Sequence, residues 1–104
     1  MKKQPETLFK EKVISRLRTI KGLYFVKIQM VATRGIPDFL MCKSGQFIAW
    51  ELKVKGNKPD QLQAFNLKRI EEAGGISRVV YPETFEEEFE FLQTLDSKKQ
   101  KNSR

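Results

Sequence analysis

Apolar side chains recur near the start of the chain at the spacing of a helix. They fall every three or four residues, at Phe9, Val13, Leu17 and Ile20. Pro5 suits a first helical turn, and Gly22 is a natural stop. The pattern therefore predicts a helix over residues 5–20.

The other apolar segments predict four strands and two more helices. Branched and aromatic runs are typical of strands, and they cover residues 23–31, 39–42, 47–54 and 76–81. Helical spacing predicts a second helix over 62–70, followed by a stop at Gly74-Gly75, and a last helix after the capping box of Thr84 and Glu87.

The predicted order is α-β-β-β-α-β-α, an α/β fold with one mixed sheet flanked by helices. Residues 1–96 form a single domain in this interpretation, since no segment is long enough to act as a linker. Residues 97–104 carry four bases and no apolar side chain, so they are predicted to be a disordered basic tail. Trp50 and Cys42 are expected in the core.

Two predicted strands flank Lys43-Ser44-Gly45-Gln46, which is typical of a hairpin. Cys42 then opposes Phe47, and the numbers of opposed residues sum to 89. The same register places Asp38 opposite Glu51, with Cβ atoms about 4.5–5.5 Å apart. Because side chains alternate along a strand, Lys53 shares the face of Glu51. The sequence thus predicts two neighbouring carboxylates beside a lysine.

Composition removes several kinds of chemistry. Among 104 residues there is no histidine and one cysteine, which excludes His-based triads, histidine metal ligands and internal disulfides. No apolar stretch approaches the roughly 18 residues of a membrane span, and the polar N-terminus lacks an apolar signal core. We therefore expect a cytoplasmic protein without a membrane partner.

Charge points to a polyanionic partner. The net charge is +7, and residues 12–59 hold ten bases but only two acids, Asp38 and Glu51. A body this basic favours nucleic acid. Two adjacent carboxylates repel each other unless a proton or cation lies between them. An all-oxygen site selects Mg²⁺ or Mn²⁺, and with a lysine nearby it suits phosphodiester hydrolysis.

Three motifs give a resemblance to a known family. Gly35-Ile36-Pro37-Asp38, then Glu51-Leu52-Lys53, then Pro59-Asp60-Gln61-Leu62-Gln63 resemble the VRR-NUC nucleases of the PD-(D/E)XK superfamily. The resemblance spans residues 11–81 and implies a PD-(D/E)XK core and a metal-dependent nuclease, often structure-selective. Small stand-alone members, commonly from phages, resemble Holliday junction resolvases and form dimers. A phage protein of this kind would act in the cytoplasm of the bacterial host.

The resemblance also implies roles for individual residues. Asp38 and Glu51 would ligate the metal with the Leu52 carbonyl, and Lys53 would be catalytic. Glu11 would supply the glutamate of the first helix, because it lies mid-helix whereas Glu6 lies at the helix start. We expect Glu11 on the flank of the apolar stripe; a solvated glutamate is the alternative. Gln63 lies eleven residues before Gly74, the spacing seen in relatives, and is preferred to Gln61.

Bases around the predicted site are expected to contact phosphates: Lys27, Arg34, Lys55 and Lys58. Phosphate contacts carry no sequence information, and no base-reading helix is evident. The sequence therefore favours a Mg²⁺- or Mn²⁺-dependent endonuclease acting on branched DNA such as a four-way junction, with no small-molecule cofactor. The alternatives are a nicking or flap-type nuclease and a non-cleaving nucleic-acid-binding domain.

A homodimer is expected because two symmetric cuts require two sites. The last helix carries Phe91 and Leu95 beyond its Phe85, Phe89 and Leu92 face. A helix that is apolar over more than one stripe often meets a partner, so this helix is a predicted contact. The alternative is that the small domain itself covers the helix more fully.

Overall fold

The computed structural model describes residues 3–29 and 34–96 and contains three helices and four strands within them. In chain order they are α1 (Pro5–Leu17), β1 (Leu23–Lys27), β2 (Phe39–Lys43), β3 (Gln46–Leu52), α2 (Gln61–Glu72), β4 (Ile76–Val80) and α3 (Phe85–Gln93). The predicted α/β order α-β-β-β-α-β-α is confirmed. The predicted tail, residues 97–104, and the end of the first predicted strand lie outside the described residues.

The four strands form one mixed sheet in the order β1-β2-β3-β4. β1, β2 and β3 pair antiparallel, and β4 pairs parallel to β3 after the α2 crossover. The predicted hairpin register is confirmed, from Lys43 opposite Gln46 to Phe39 opposite Trp50. Its two-residue turn has Ser44 and Gly45 at φ 54° and 79°, the left-handed conformation that two-residue hairpins favour.

The main core lies between one face of the sheet and the helices α1 and α3. Every second strand residue points into it, with Phe39, Ile48 and Trp50 fully buried. Phe85 of α3 contacts Trp50 edge-on, with ring centroids 6.3 Å apart, and also meets Phe9 of α1 at 6.1 Å. These aromatic contacts fix both helices against the same sheet face.

Helix α2 lies on the opposite face and covers only its β3–β4 side. The Ser77 hydroxyl of β4 donates a hydrogen bond to the Leu67 carbonyl of α2 at 2.9 Å. The β1–β2 side of this face stays exposed, and Tyr24 retains 69% of its accessible surface. Cys42 is exposed here, so the expectation of a core cysteine is wrong, whereas Trp50 is in the core as predicted.

The apolar side chains that were expected to make helix α3 a dimer contact are packed within the protein itself. Leu95 packs into the core, and Phe91 packs against it beneath the Arg78 guanidinium, 5.0 Å from the ring centroid. Lys43 is buried as well, and its ammonium donates hydrogen bonds to the carbonyls of Gln93 (3.1 Å) and Leu95 (2.7 Å). These bonds satisfy carbonyls that a helix end leaves without partners.

Helix α1 ends three residues before the predicted boundary. The amides of Thr19 and Ile20 bond carbonyls three residues back, at 3.0 and 3.1 Å, which tightens the chain into a turn. Ile20 nevertheless stays buried in the core, which explains why its spacing continued the helical pattern. In the described part of the chain, no helix combines the length and apolar character needed to cross a bilayer.

Candidate active site

An open cavity of ≈ 250 Å³ lies where β2 begins and β3 ends. Four of the predicted site residues line it, Asp38, Glu51, Leu52 and Lys53, and Gln63 of α2 joins them. Glu6, Phe9 and Lys10 of α1 form the opposite wall, and Val54 completes the lining. A water molecule takes about 30 Å³ in the liquid, so the cavity has room for a hydrated cation and a phosphate oxygen.

Asp38 is held in the cavity by the backbones of both neighbouring strands. The Ile28 amide donates to the Asp38 carbonyl at 2.8 Å, which extends the β1–β2 pairing. The Leu52 amide donates to Asp38 Oδ2 at 2.7 Å. The Asp38 side chain therefore lies beside the end of β3, next to Glu51, as the register predicts.

The loop that delivers Asp38 depends on a close approach to α2. Gly35 has φ 83°, and a Cβ there would stand 2.7 Å from Leu62 Cγ and 2.8 Å from Asn66 Nδ2. Only glycine fits both the conformation and the space. Pro37, directly before Asp38, is buried, and its ring restricts the backbone at the entry to β2.

Glu51 is a buried carboxylate with incomplete partners. The residue is 3% exposed, and its Oε2 lies 3.4 Å from Lys53 Nζ. Its Oε1 is buried without a hydrogen-bond partner in the described part of the chain. Burial, and then the charge of Asp38, raise the pKa of Glu51 to about 7, although Lys53 acts in the opposite direction. The charged form of Glu51 is therefore costly at this position unless more positive charge, such as a cation, binds beside it.

Gln63 lines the cavity while it also caps helix α2. The Asp60 backbone amide donates a hydrogen bond to Gln63 Oε1 at 3.0 Å. In return, the Gln63 backbone amide donates to Asp60 Oδ1 at 2.8 Å. This reciprocal pair is a capping box. Because the amide oxygen is engaged, the NH₂ group is the part of Gln63 available to a ligand. Gln61, the alternative candidate, is exposed and does not line the cavity.

The helix glutamate differs from the prediction. Glu11 points away from the cavity, and both of its oxygens lie 2.9 Å from Lys3 Nζ. At 3.6 residues per turn, Glu11 is about 160° around α1 from Val13, the middle of the buried stripe, whereas Glu6 is about 20° from it. The expectation that Glu11 flanks the stripe is therefore wrong, and Glu6 lines the cavity instead.

The donor set fits a hard cation with few protein ligands. In residues 3–29 and 34–96, no group of three or more acidic, histidine or cysteine side chains is arranged to hold a metal. Asp38 and Glu51 are two carboxylates, and Glu51 Oε1 lacks a partner among the described residues. Mg²⁺ usually binds one or two carboxylates and completes its shell with waters and substrate phosphates. The residues present therefore fit Mg²⁺ or Mn²⁺.

None of the four predicted phosphate-binding bases lines the cavity. Arg34, Lys55 and Lys58 are exposed, on the loops before Asp38 and after β3. Lys27 lines a separate depression at the edge strand β1, and its ammonium is 3.4 Å from Gln29 Oε1. Its strand partner is Phe39, the residue after Asp38, so this depression begins beside the site.

Sequence reasoning missed Glu6 and Lys10. The signal that would have found them is their helical spacing from the buried stripe, since Glu6 lies three residues before Phe9 and Lys10 lies three residues before Val13. Glu6 lies at the helix start, which was the reason for preferring Glu11, and no pattern assigned a role to Lys10.

A comparison with known proteins finds no family model and no curated protein that matches this chain. The resemblance to VRR-NUC nucleases therefore rests on the three sequence motifs alone.

Proposed function

We propose that this protein is a metal-dependent DNA endonuclease with a PD-(D/E)XK core, similar to the VRR-NUC nucleases. The observation that supports this best is Glu51, a buried carboxylate next to Asp38 and Lys53 in an open cavity. A structural role alone does not explain two acids there, since burying a charged carboxylate is costly. The net charge of +7 supports a nucleic-acid substrate.

Each side chain has a role that follows from its chemistry. Asp38 and Glu51, with the Leu52 carbonyl, would hold Mg²⁺ or Mn²⁺, which supplies Lewis acidity and a more acidic bound water. Lys53 Nζ, 3.4 Å from Glu51, is placed to stabilise negative charge on a phosphate oxygen. The Gln63 NH₂ donates to a phosphate oxygen from the α2 side. Glu6 replaces Glu11 as the acid of the first helix.

We further propose branched DNA, such as a four-way junction, as the substrate, cut by a homodimer. The described residues offer no helix shaped to read bases, and the bases near the site are suited to phosphates, which favours recognition of DNA shape. A two-fold dimer would supply two sites related by the symmetry of the junction.

The experiment is a cleavage assay with labelled four-way junction, flap and linear duplex, each with Mg²⁺, Mn²⁺ or EDTA. Paired cuts in the junction that require the metal are expected. Cleavage of flaps or nicks in duplex at an equal rate would move the substrate to the nicking or flap-type alternative. Binding without cleavage under every metal condition would contradict the nuclease and support the alternative of a non-cleaving DNA-binding domain.

A further inference from the structure

The basic side chains along helix α1 lie on two different flanks of the helix. Lys12 and Arg16 face α3, where Arg16 forms a two-bond ion pair with Glu86 at 2.9 and 3.1 Å. Lys12 Nζ lies 3.9 Å from the same carboxylate, and the Arg16 guanidinium is 4.2 Å from the Phe89 ring centroid. Arg16 also holds the pKa of Glu86 below its usual value. Both bases on this flank therefore share one carboxylate, Glu86, as their ion-pair partner within the chain.

The other flank presents a ridge of residues spaced by four: Glu6, Lys10, Ile14 and Arg18. Glu6 and Lys10 line the candidate active site, while Ile14 and Arg18 line the depression that also contains Lys27. Neither Lys10 nor Arg18 forms an ion pair with any residue of 3–29 or 34–96. The uncompensated bases of α1 thus face the two concave surfaces.

The spacing of these bases fits the repeat of a nucleic-acid backbone. Lys10 and Arg18 are eight residues apart, about 12 Å along the axis at 1.5 Å per residue. One DNA strand carries a phosphate every 3.4 Å of helix axis, so the two bases reach phosphates roughly three to four steps apart. Lys27 continues the positive surface along β1 beside Asp38.

We propose that Lys10 and Arg18, continued by Lys27, form a track that binds successive phosphates of one DNA strand and leads it into the cavity. This inference rests on the proposed function, because it takes DNA as the ligand. Lys10 is the base of the track that reaches the cavity, where Lys53 is already paired with Glu51. Its role is to position the strand, while Asp38 and Glu51 would hold the metal ion.

The test compares two double variants of equal charge on the same helix, Lys10→Gln/Arg18→Gln and Lys12→Gln/Arg16→Gln. Affinity for a labelled duplex is measured in EDTA, so that binding is read without cleavage, across 50–200 mM salt. Each phosphate contact contributes about 0.9 to the slope of log affinity against log salt. The Lys10/Arg18 variant should lose about 1.8 of that slope, and the Lys12/Arg16 variant less than half as much.

Thermal unfolding first establishes that each variant is folded. If the Lys12/Arg16 variant unfolds through the loss of its Glu86 contacts, Lys68→Gln/Arg69→Gln on α2 serves as the two-charge control. In each of the single variants Lys10→Gln and Arg18→Gln, the slope of log affinity against log salt should fall by about 0.9. The Lys10→Arg variant should keep the wild-type slope.

Equal slope losses in the test and control variants would overturn the track, as would a wild-type protein that binds no DNA at 50 mM salt. The proposed function fails separately. If the protein shows the expected slopes but never cleaves DNA with Mg²⁺ or Mn²⁺, the track is supported and the proposed nuclease function is contradicted.

Discussion

Opposing influences act on the Glu51 carboxyl within one cavity. Burial and the nearby Asp38 carboxylate favour its protonated form, while Lys53 favours the charged form. The first two are stronger, which is why its pKa rises from 4.5 to about 7. A divalent cation between the carboxylates would reverse this balance.

The raised pKa predicts that stability falls as pH rises. The folded protein retains a proton that the unfolded chain has already released above pH 4.5, so the free energy of unfolding drops between pH 4.5 and about 7. At about 1.4 kcal/mol per pKa unit, the loss is about 3 kcal/mol. Urea unfolding in EDTA should show this drop in wild type but not in Glu51→Gln. Parallel profiles would contradict it.

In Gln63 the amide oxygen caps α2, and the NH₂ group is the part proposed to act in cleavage. Gln63→Glu keeps the acceptor for Asp60 N, so α2 should remain stable, but it removes the NH₂ donor. A hydrogen bond to a charged group contributes about 1.5–3 kcal/mol, so cleavage should slow about tenfold or more. Gln61→Glu, which adds the same charge outside the cavity, should have little effect. Cleavage rates and melting temperatures of both variants check this, and the opposite ranking would move the assignment to Gln61.

At this scale the sequence predicts pairs that follow from strand register and misses those set by helix rotation. Asp38 and Glu51 were found because two isolated acids in a basic stretch fall at opposed positions of a hairpin. The Glu6 position depends on how α1 is turned against the sheet, and Glu11 was preferred because it lies mid-helix, which leaves that rotation out of account. The burial of Lys43 depends on where α3 ends, which no local pattern indicates.

Helix α1 carries two glutamates whose roles the structure separates. Glu6→Gln should reduce cleavage several-fold because Glu6 faces the cavity. Glu11→Gln removes an exposed ion pair with Lys3, which contributes about 0–1 kcal/mol to stability, and should leave cleavage near the wild-type rate. Single-turnover cleavage at saturating protein compares the two. A greater loss in Glu11→Gln would restore the original assignment.

Helices and strands were predicted well where the spacing of apolar residues agrees with the turn and capping residues at their ends. The Ser44-Gly45 turn and the capping box of α2 fix both ends of the segments that carry the site. Helix α2 begins one residue before the predicted 62–70 segment, because Asp60 caps it. For α3, Thr84 precedes the helix as predicted, but its side chain bonds the Tyr81 backbone in place of a capping amide.

For the whole molecule, the exposed part of the sheet replaces α3 as the proposed dimer contact. Tyr24, Val26, Leu40, Cys42 and Phe47 form an apolar depression on the β1–β2 side that α2 leaves uncovered. Tyr24→Asp should therefore shift the dimer toward monomer. Leu8→Asp, on the outer surface of α1 and 53% exposed, should not. Light scattering at micromolar concentration measures both. Dimers that persist in Tyr24→Asp would contradict this surface, and a monomeric wild type would remove the dimer.

The most direct measurement is cleavage and binding of the same labelled junction by Asp38→Asn, Glu51→Gln and Lys53→Ala. Glu90→Gln, which alters an exposed acid on α3, is the control. The account predicts that the three site variants fold, bind DNA at least as well when an acid has been neutralised, and do not cut with Mg²⁺, while the control cuts normally. A folded Asp38→Asn or Glu51→Gln that cuts at the wild-type rate would show that the cavity is not the active site.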